Sequence, residues 1–391
     1  MPKQTLFIPG PVTCAPEVLA ALARPTINHR GPEFRALLER LEAGMKPIFG
    51  TAGDVVFLGS SGTGGLEAAV ANAFSPGQKV LSCPVGVFGK RLANIAKTYG
   101  LEVEILETPV GSALDPAALA ARLRNDPQHE IAGILLTHNE TSTGVQNDMR
   151  SIAAAIFDHP ATIVVDSVSG LGASEFAMDE WGFDIVVTAS QKALAVPPGV
   201  AMVAVSPRGW ERIANAKAPR FYFDLQKGRE FAKSGETPWT PPLSVLFALD
   251  VALERYHAEG AANVFARHER NALAIRAAAE ALGLTIFSQP NAHSVTVVAM
   301  NVPAGIEQPA VGKTLREKYG IVIGGGQQEL KGKLFRIGTM GDITEADVIG
   351  ALAAFELSLR EHGFEAPVGS AAAAALQVFA SAGVPEPILA G

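Results

Sequence analysis

From residue 54 to residue 206 the chain alternates short β-branched and apolar runs with stretches whose apolar positions recur at helical spacing. The short runs predict strands over 54–58, 79–82, 102–106, 131–137, 162–166, 184–189 and 200–206. Helical spacing fits 66–74, 90–99, 116–124 and 149–157 between several of them. Runs such as Ile163-Val164-Val165 are apolar at every position, as expected when helices cover both faces of a parallel sheet. The alternation predicts an α/β fold with a mostly parallel seven-stranded sheet and helices on both faces. The connections 167–181 and 191–198 are too short and irregular for full helices, so the last strand is expected to enter antiparallel.

The pattern changes after Ser206. Residues 208–243, rich in Arg, Lys, Pro and aromatics, predict irregular or short helical pieces. A helical stretch over 244–283 follows, broken near Gly260. Then come a strand at 294–300, a helix at 309–319, strands at 320–323 and 333–337, and a helix at 344–362. Thr344 and Asp347 are spaced as in a capping box. This is a smaller C-terminal α+β unit, closed by an Ala-rich helix at 370–382.

Composition narrows the function classes. The 391 residues carry 32 Lys and Arg against 39 Asp and Glu, a net charge of −7, which argues against a phosphate-backbone partner and so against nucleic acid. At 48% hydrophobic residues the chain can bury a large core. Cys14 and Cys83 show no Cys-x-x-Cys spacing, the expectation for a reduced, cytoplasmic protein. No apolar run approaches the ~18 residues of a membrane span, and the N-terminus has no signal-peptide stretch. The eight His show no metal-ligand spacing, so no metal site is expected.

Three segments carry chemistry. Gly59-Ser60-Ser61-Gly62-Thr63-Gly64-Gly65 follows a strand and opens a helix, a ready anion site. It lacks the Gly-Lys-Ser/Thr ending of a P-loop, and the next strand ends without the acid that would hold a ribose. Asp166 ends a buried strand, on the edge where open parallel sheets bind ligands. Lys192 follows the next buried strand and precedes an apolar, Pro-rich stretch. A lysine there is costly unless paired or neutral, and a neutral amine can form a Schiff base. Taken singly, each has an ordinary explanation: a Gly-rich turn, a loop-fixing Asp, a snorkelling Lys. A phosphate cradle, a strand-end Asp and a strand-end Lys in this order are the parts pyridoxal 5′-phosphate (PLP) requires.

With these residues in view, the sequence resembles the class V aminotransferases of PLP fold type I, in particular the alanine–glyoxylate/serine–glyoxylate (serine–pyruvate) group. The resemblance runs through Ile8-Pro-Gly-Pro11, Ser61-Gly62-Thr63, Thr137-His-Asn-Glu-Thr141-Ser-Thr-Gly144, Val165-Asp166-Ser-Val-Ser169, Ser190-Gln191-Lys192 with its Pro-Pro-Gly199 sequel, Thr237-Pro-Trp-Thr240-Pro-Pro242 and Phe335-Arg336-Ile-Gly338. It implies that Lys192 anchors the cofactor and moves the proton, and that Asp166 pairs with the ring nitrogen. It implies that Ser61, Gly62, Thr63 and Gln191 bind the phosphate, that Phe88 stacks on the ring, and that Thr141 sits near the ring hydroxyl. Thr240 and Thr237 are implied to reach the phosphate of the neighbouring subunit of a homodimer. Arg336 would grip the substrate carboxylate, and Gly10 would line the entrance. Two positions depart from the family: Phe88 stands where a Trp is usual, and Thr237 where many relatives have a Tyr. The domains expected are an N-terminal segment (1–20) lining the site, a large PLP-binding α/β domain (21–255) and a small C-terminal α+β domain (256–391).

The implied reaction moves the amine of L-alanine or L-serine to a short 2-oxo acid, with glyoxylate taken from the resemblance. An aspartate donor is the rival, because Arg30 or Arg220 could meet a second carboxylate. His29-Arg30 is read as a structural or lid element. Cysteine desulfurase chemistry needs a late nucleophilic Cys, and both cysteines precede residue 84. A non-catalytic accessory subunit is opposed by Lys192, Asp166 and Arg336 all being present.

Overall fold

The computed structural model describes residues 4–156 and 158–381. In chain order its strands are β1 (Thr5–Phe7), β2 (Asp54–Leu58), β3 (Lys79–Ser82), β4 (Glu102–Ile105), β5 (Ile131–Thr137), β6 (Asn139–Glu140) and β7 (Val145–Gln146). They continue with β8 (Thr162–Asp166), β9 (Ile185–Ala189), β10 (Ala201–Val205), β11 (Val297–Asn301), β12 (Ile321–Gly325) and β13 (Leu334–Gly338). The large sheet has the order β2-β10-β9-β8-β5-β3-β4. Its neighbours are parallel except at β10, which runs antiparallel to both β2 and β9. This is the late antiparallel strand expected from the short 191–198 connection, which holds no crossover helix.

Alternation along each strand divides the core between two faces. Ile163 and Val165 of β8 pack with Phe34, Leu41 and Met45 of helix Pro32–Phe49 and with Leu246 and Leu249 of helix Leu243–Glu259. Val164, between them, packs on the other side with Leu66, Val70 and Leu92. Helix Gly62–Ala73 lies directly on the sheet: a Cβ on Gly65 would stand 2.7 Å from Val187 Cγ1 and 3.0 Å from Ala201 Cβ.

Since β10 is reversed, β2 points the same way as β9, β8, β5, β3 and β4. The segments that follow these strands therefore leave from one edge. That edge gathers the Gly-rich turn, the loop before Phe88, the 138–142 segment, Asp166 and Lys192, although they are scattered over 130 residues of sequence (62 to 192).

The smaller sheet has the order β1-β12-β13-β11. Its core joins Phe7, Phe335 and Ile337 to Ile275 and Phe355 of helices Ala261–Ala281 and Glu345–Glu361. β1 pairs in parallel with β12, Thr5 opposite Ile321 and Phe7 opposite Ile323. The sequence pattern predicts no strand there, because three residues carry no period and the partner is distant in the chain. Helices Pro16–Ala21 and Pro32–Phe49 also precede the first predicted element. Two helices start before their apolar spacing does, at Gly62 rather than 66 and at Val87 rather than 90. The Thr344–Asp347 capping box is present. The predicted helices 149–157 and 370–382 run as Met149–Ile156 and Ser370–Ser381, their last residues lying outside the described ones. Among the described residues no helix is long and apolar enough to cross a membrane.

Candidate active site

At the shared edge, Ser61, Gly62, Thr63, Phe88, Thr141, Asp166, Gln191 and Lys192 line one cavity. Asp166 closes β8 and is 5% exposed. Its Oδ1 accepts from the Val168 N–H at 3.0 Å, and among the described residues no other hydrogen bond reaches the carboxylate. Burial pushes its carboxyl up to about 6; the Val168 N–H opposes this, Glu140 adds to it, and Lys192 and Arg91 oppose it. An acid so placed is short of one cationic partner.

Lys192 follows β9. Its Nζ donates to the Pro9 carbonyl at 2.5 Å. Burial moves the amine down to about 8; Asp166 works against this, and Arg336 and Arg91 add to it. A substantial neutral fraction is therefore available near pH 8, the form that attacks a carbonyl. β1 brings Pro9 and Gly10 here. A Cβ on Gly10 would stand 2.6 Å from Lys192 Nζ, and the residue's φ of +113° also favours glycine.

Helix Gly62–Ala73 starts from Ser61 without a side-chain cap, so its leading N–H groups are open to an acceptor. Gln191 carries a buried amide oxygen with no partner; turned over, the amide offers an N–H. Phe88 stands in the first turn of helix Val87–Thr98. That turn is fixed by buried Glu140, whose Oε2 accepts from the N–H groups of Phe88 (2.9 Å) and Gly89 (3.1 Å). Its Oε1 accepts from the N–H (3.0 Å) and hydroxyl (2.6 Å) of Ser142. An uncapped helix, an aromatic face, an underpartnered acid and a low-pKa amine fit a flat aldehyde bearing a phosphate and a ring nitrogen, as PLP does.

Arg336 does not line this cavity but is joined to its wall. From β13 its Nε donates to the Gly325 carbonyl (2.7 Å) and its Nη1 to the Thr141 carbonyl (2.6 Å). Both bonds fix the guanidinium plane, and burial lowers its pKa from the ordinary value while Glu140 opposes. Nη2 keeps its donors for another group, with no protein acceptor among the described residues.

Thr237 and Thr240 lie elsewhere. Thr237 is buried and its hydroxyl donates to the Trp239 carbonyl at 2.8 Å. Thr240 is exposed and borders a second cavity with Gly59, Ser61, Gly199 and Tyr222. The two arginines considered for a second carboxylate are engaged. Arg220 donates to the carbonyls of Ala71, Ala216, Ala218 and Ile213. Arg30 pairs with Glu236 at 2.6 Å.

Sequence reasoning passed over four residues here: Arg91, Asn139, Ser169 and Glu140. Asn139 lines the cavity and donates to Ser169 Oγ and Thr296 Oγ1, both at 2.9 Å, while accepting from Ser294 Oγ at 2.6 Å. It thereby ties the large-sheet edge to the segment leading into β11. The signal for Arg91 was its place three residues after Phe88, on the same helical face.

The aminotransferase class-V family model matches residues 17–343. Over 378 residues the chain is 40% identical to the L-aspartate–glyoxylate aminotransferase of Paracoccus denitrificans, covering 95% of each protein. It is 39% identical over 382 residues to a Synechococcus protein named as the small subunit of a soluble hydrogenase, covering 97% of this chain and 99% of that one. The crystal structure of ureidoglycine–glyoxylate aminotransferase from Bacillus subtilis superposes with a TM-score of 0.91 at 29% identity, covering 97% of this chain and 99% of that one. A match over most of the chain, with a fold and an edge of this kind beneath it, makes the protein a member of the PLP-dependent class V aminotransferases.

Proposed function

We propose that the protein transfers the amino group of a small neutral L-amino acid, alanine or serine, to glyoxylate, giving glycine. The observation that carries the transaminase site is the pairing of a low-pKa amine, Lys192, with an underpartnered acid, Asp166, on adjacent strand ends. Bound between them, PLP supplies an aldehyde that takes up amino groups and a ring that draws electrons from their Cα. Lys192 anchors the cofactor and then carries the proton on and off the reacting carbon. Asp166 keeps the ring nitrogen protonated, and Phe88 holds the ring face. Ser61, Gly62, Thr63 and Gln191 take the phosphate, with Thr141 beside the ring hydroxyl. Arg336 holds the substrate carboxylate and Gly10 leaves the amine room to move.

The neutral donor is favoured because Arg30 and Arg220 are engaged with other groups. The glyoxylate acceptor follows the names of the Paracoccus and Bacillus relatives. The Paracoccus identity also favours an aspartate donor as the second reading. A non-catalytic role, suggested by the Synechococcus name, is opposed by the presence of Lys192, Asp166 and Arg336.

The active form is read as a cytoplasmic homodimer with shared sites, Thr237 and Thr240 serving the partner. Support comes from an exposed aromatic group beside the second cavity: Phe221 (71% exposed) and Tyr222 (44%), both stacked on Trp239. The domain reading is an N-terminal segment 1–20 at the site, a large domain 21–255 and a small one 256–391.

Borohydride should fix the cofactor to Lys192 in a peptide map, and single-turnover absorbance with each amino acid should rank alanine or serine above aspartate. Aspartate reacting fastest would replace the donor. Arg336→Ala should lower kcat/KM through KM for both amino and oxo acids, by about 2–5 kcal/mol for a buried charge pair broken on one side.

A further inference from the structure

The Gly59–Gly65 turn contains no Lys or Arg, yet the group assigned to it is a phosphate dianion. The open helix N-terminus offsets roughly half an elementary charge. One further cation lines the cavity besides Lys192: Arg91, from the first turns of helix Val87–Thr98. Its Nη1 donates to Thr63 Oγ1 at 3.2 Å, and its guanidinium carbon lies 4.6 Å from the centre of the Phe88 ring. Many arginines elsewhere in the chain are paired with acids, Arg30, Arg35 and Arg122 among them. Arg91 has no carboxylate at ion-pair distance among the described residues. The guanidinium is thus held at two neighbours that the cofactor reading already uses, one for the phosphate and one for the ring, with its charge unspent.

We propose that Arg91 is the phosphate's cationic partner, binding it through the guanidinium fork beside Thr63. The proposal rests on the PLP site described above. It makes Arg91 a cofactor-binding residue, and among the described residues it leaves no uncommitted arginine in the cavity wall for a donor's second carboxylate.

The test compares wild type, Arg91→Gln and Arg91→Lys, stripped of cofactor, for equilibrium binding of PLP and of pyridoxal, which lacks the phosphate. Inorganic phosphate is added as a third probe. Arg91→Gln should weaken PLP about ten- to a hundredfold, the range for losing a hydrogen bond to a charged group. Pyridoxal affinity should not change. Phosphate should raise the melting temperature of the wild type and not of Arg91→Gln, while Arg91→Lys retains part of both effects. Equal weakening of PLP and pyridoxal would reduce Arg91 to a support for Phe88 and overturn the proposal. So would unchanged PLP affinity, or a defect confined to KM for aspartate. Wild type that takes up neither PLP nor pyridoxal would instead sink the cofactor site itself.

Discussion

Two buried carboxylates stand close to the cavity and are treated in opposite ways. Glu140, in the β6–β7 hairpin, accepts from three backbone N–H groups and one hydroxyl. Burial raises its pKa, and each of those donors pulls it back. Asp166, at the end of β8, has one backbone donor and a carboxyl at about 6. A carboxylate that fixes structure is saturated by the protein. On the reading proposed above, the acid that would meet a cationic ring nitrogen is kept dry and left a partner short. The difference singles out Asp166 as the candidate functional acid on geometry alone.

Substituting the two acids in turn tests this contrast most severely. Asp166→Asn should lower kcat on the order of 10²–10³-fold, the scale of losing one preorganised charge contact in an active site, while the cofactor-free protein melts no earlier than wild type. Full activity in Asp166→Asn would end the functional assignment. For Glu140→Ala the signature reverses: three N–H groups and a hydroxyl lose their acceptor, so unfolding free energy should drop by about 2–4 kcal/mol. Its residual activity should follow the folded fraction, with a weakened spectral shift of bound PLP because Phe88 loses its anchor.

A third acid, far from the site, calibrates the structural side of the comparison. Glu356, 2% exposed, accepts from the Gly369 N–H (2.6 Å) and the Ala371 N–H (3.0 Å) and so caps helix Ser370–Ser381. Glu356→Ala should cost about 1–3 kcal/mol, with hydrogen exchange accelerating first in that helix and transamination retained. Activity loss ahead of helix opening would show that the distinction between saturated and unsaturated acids fails.

The large sheet was legible because its signals are local. Its central strands β5, β8, β9 and β10 are continuous apolar runs; Asp166 ends one of them and Lys192 follows another. What was not legible depended on distance in the chain. β1 is a strand only because β12 pairs with it, and Pro9 reaches Lys192 only through that pairing. Arg336 could be singled out by resemblance, yet its fixing by the Gly325 and Thr141 carbonyls needs two sheets brought together. Arg220 shows the opposite error. An arginine with no evident partner in the sequence invites a ligand, but the carbonyls of Ala71, Ile213, Ala216 and Ala218 had already claimed it. The early starts at Gly62 and Val87 carry no apolar stripe: the first turn at Gly62 is held by the Gly64 and Gly65 N–H groups on the Ser61 carbonyl, and that at Val87 by the Phe88 and Gly89 N–H groups on Glu140.

The smallest expected effect addresses Asp166 alone. Its carboxyl sits at about 6 in the folded protein, above its ordinary value of 3.8. The folded state therefore holds that proton over a pH range where the unfolded chain has released it. Between those two values folded protein binds more protons, so stability falls as pH rises and the contribution is lost through pH 6. In cofactor-free protein, going from pH 5 to pH 7 should remove about 1 kcal/mol through this group. Asp166→Asn lacks the proton equilibrium, so the difference between its stability and that of wild type should widen by that amount across the same interval. A difference that stays flat would mean Asp166 is already charged and paired in the cofactor-free protein. The acid would then be as saturated as Glu140, and the contrast between them would vanish.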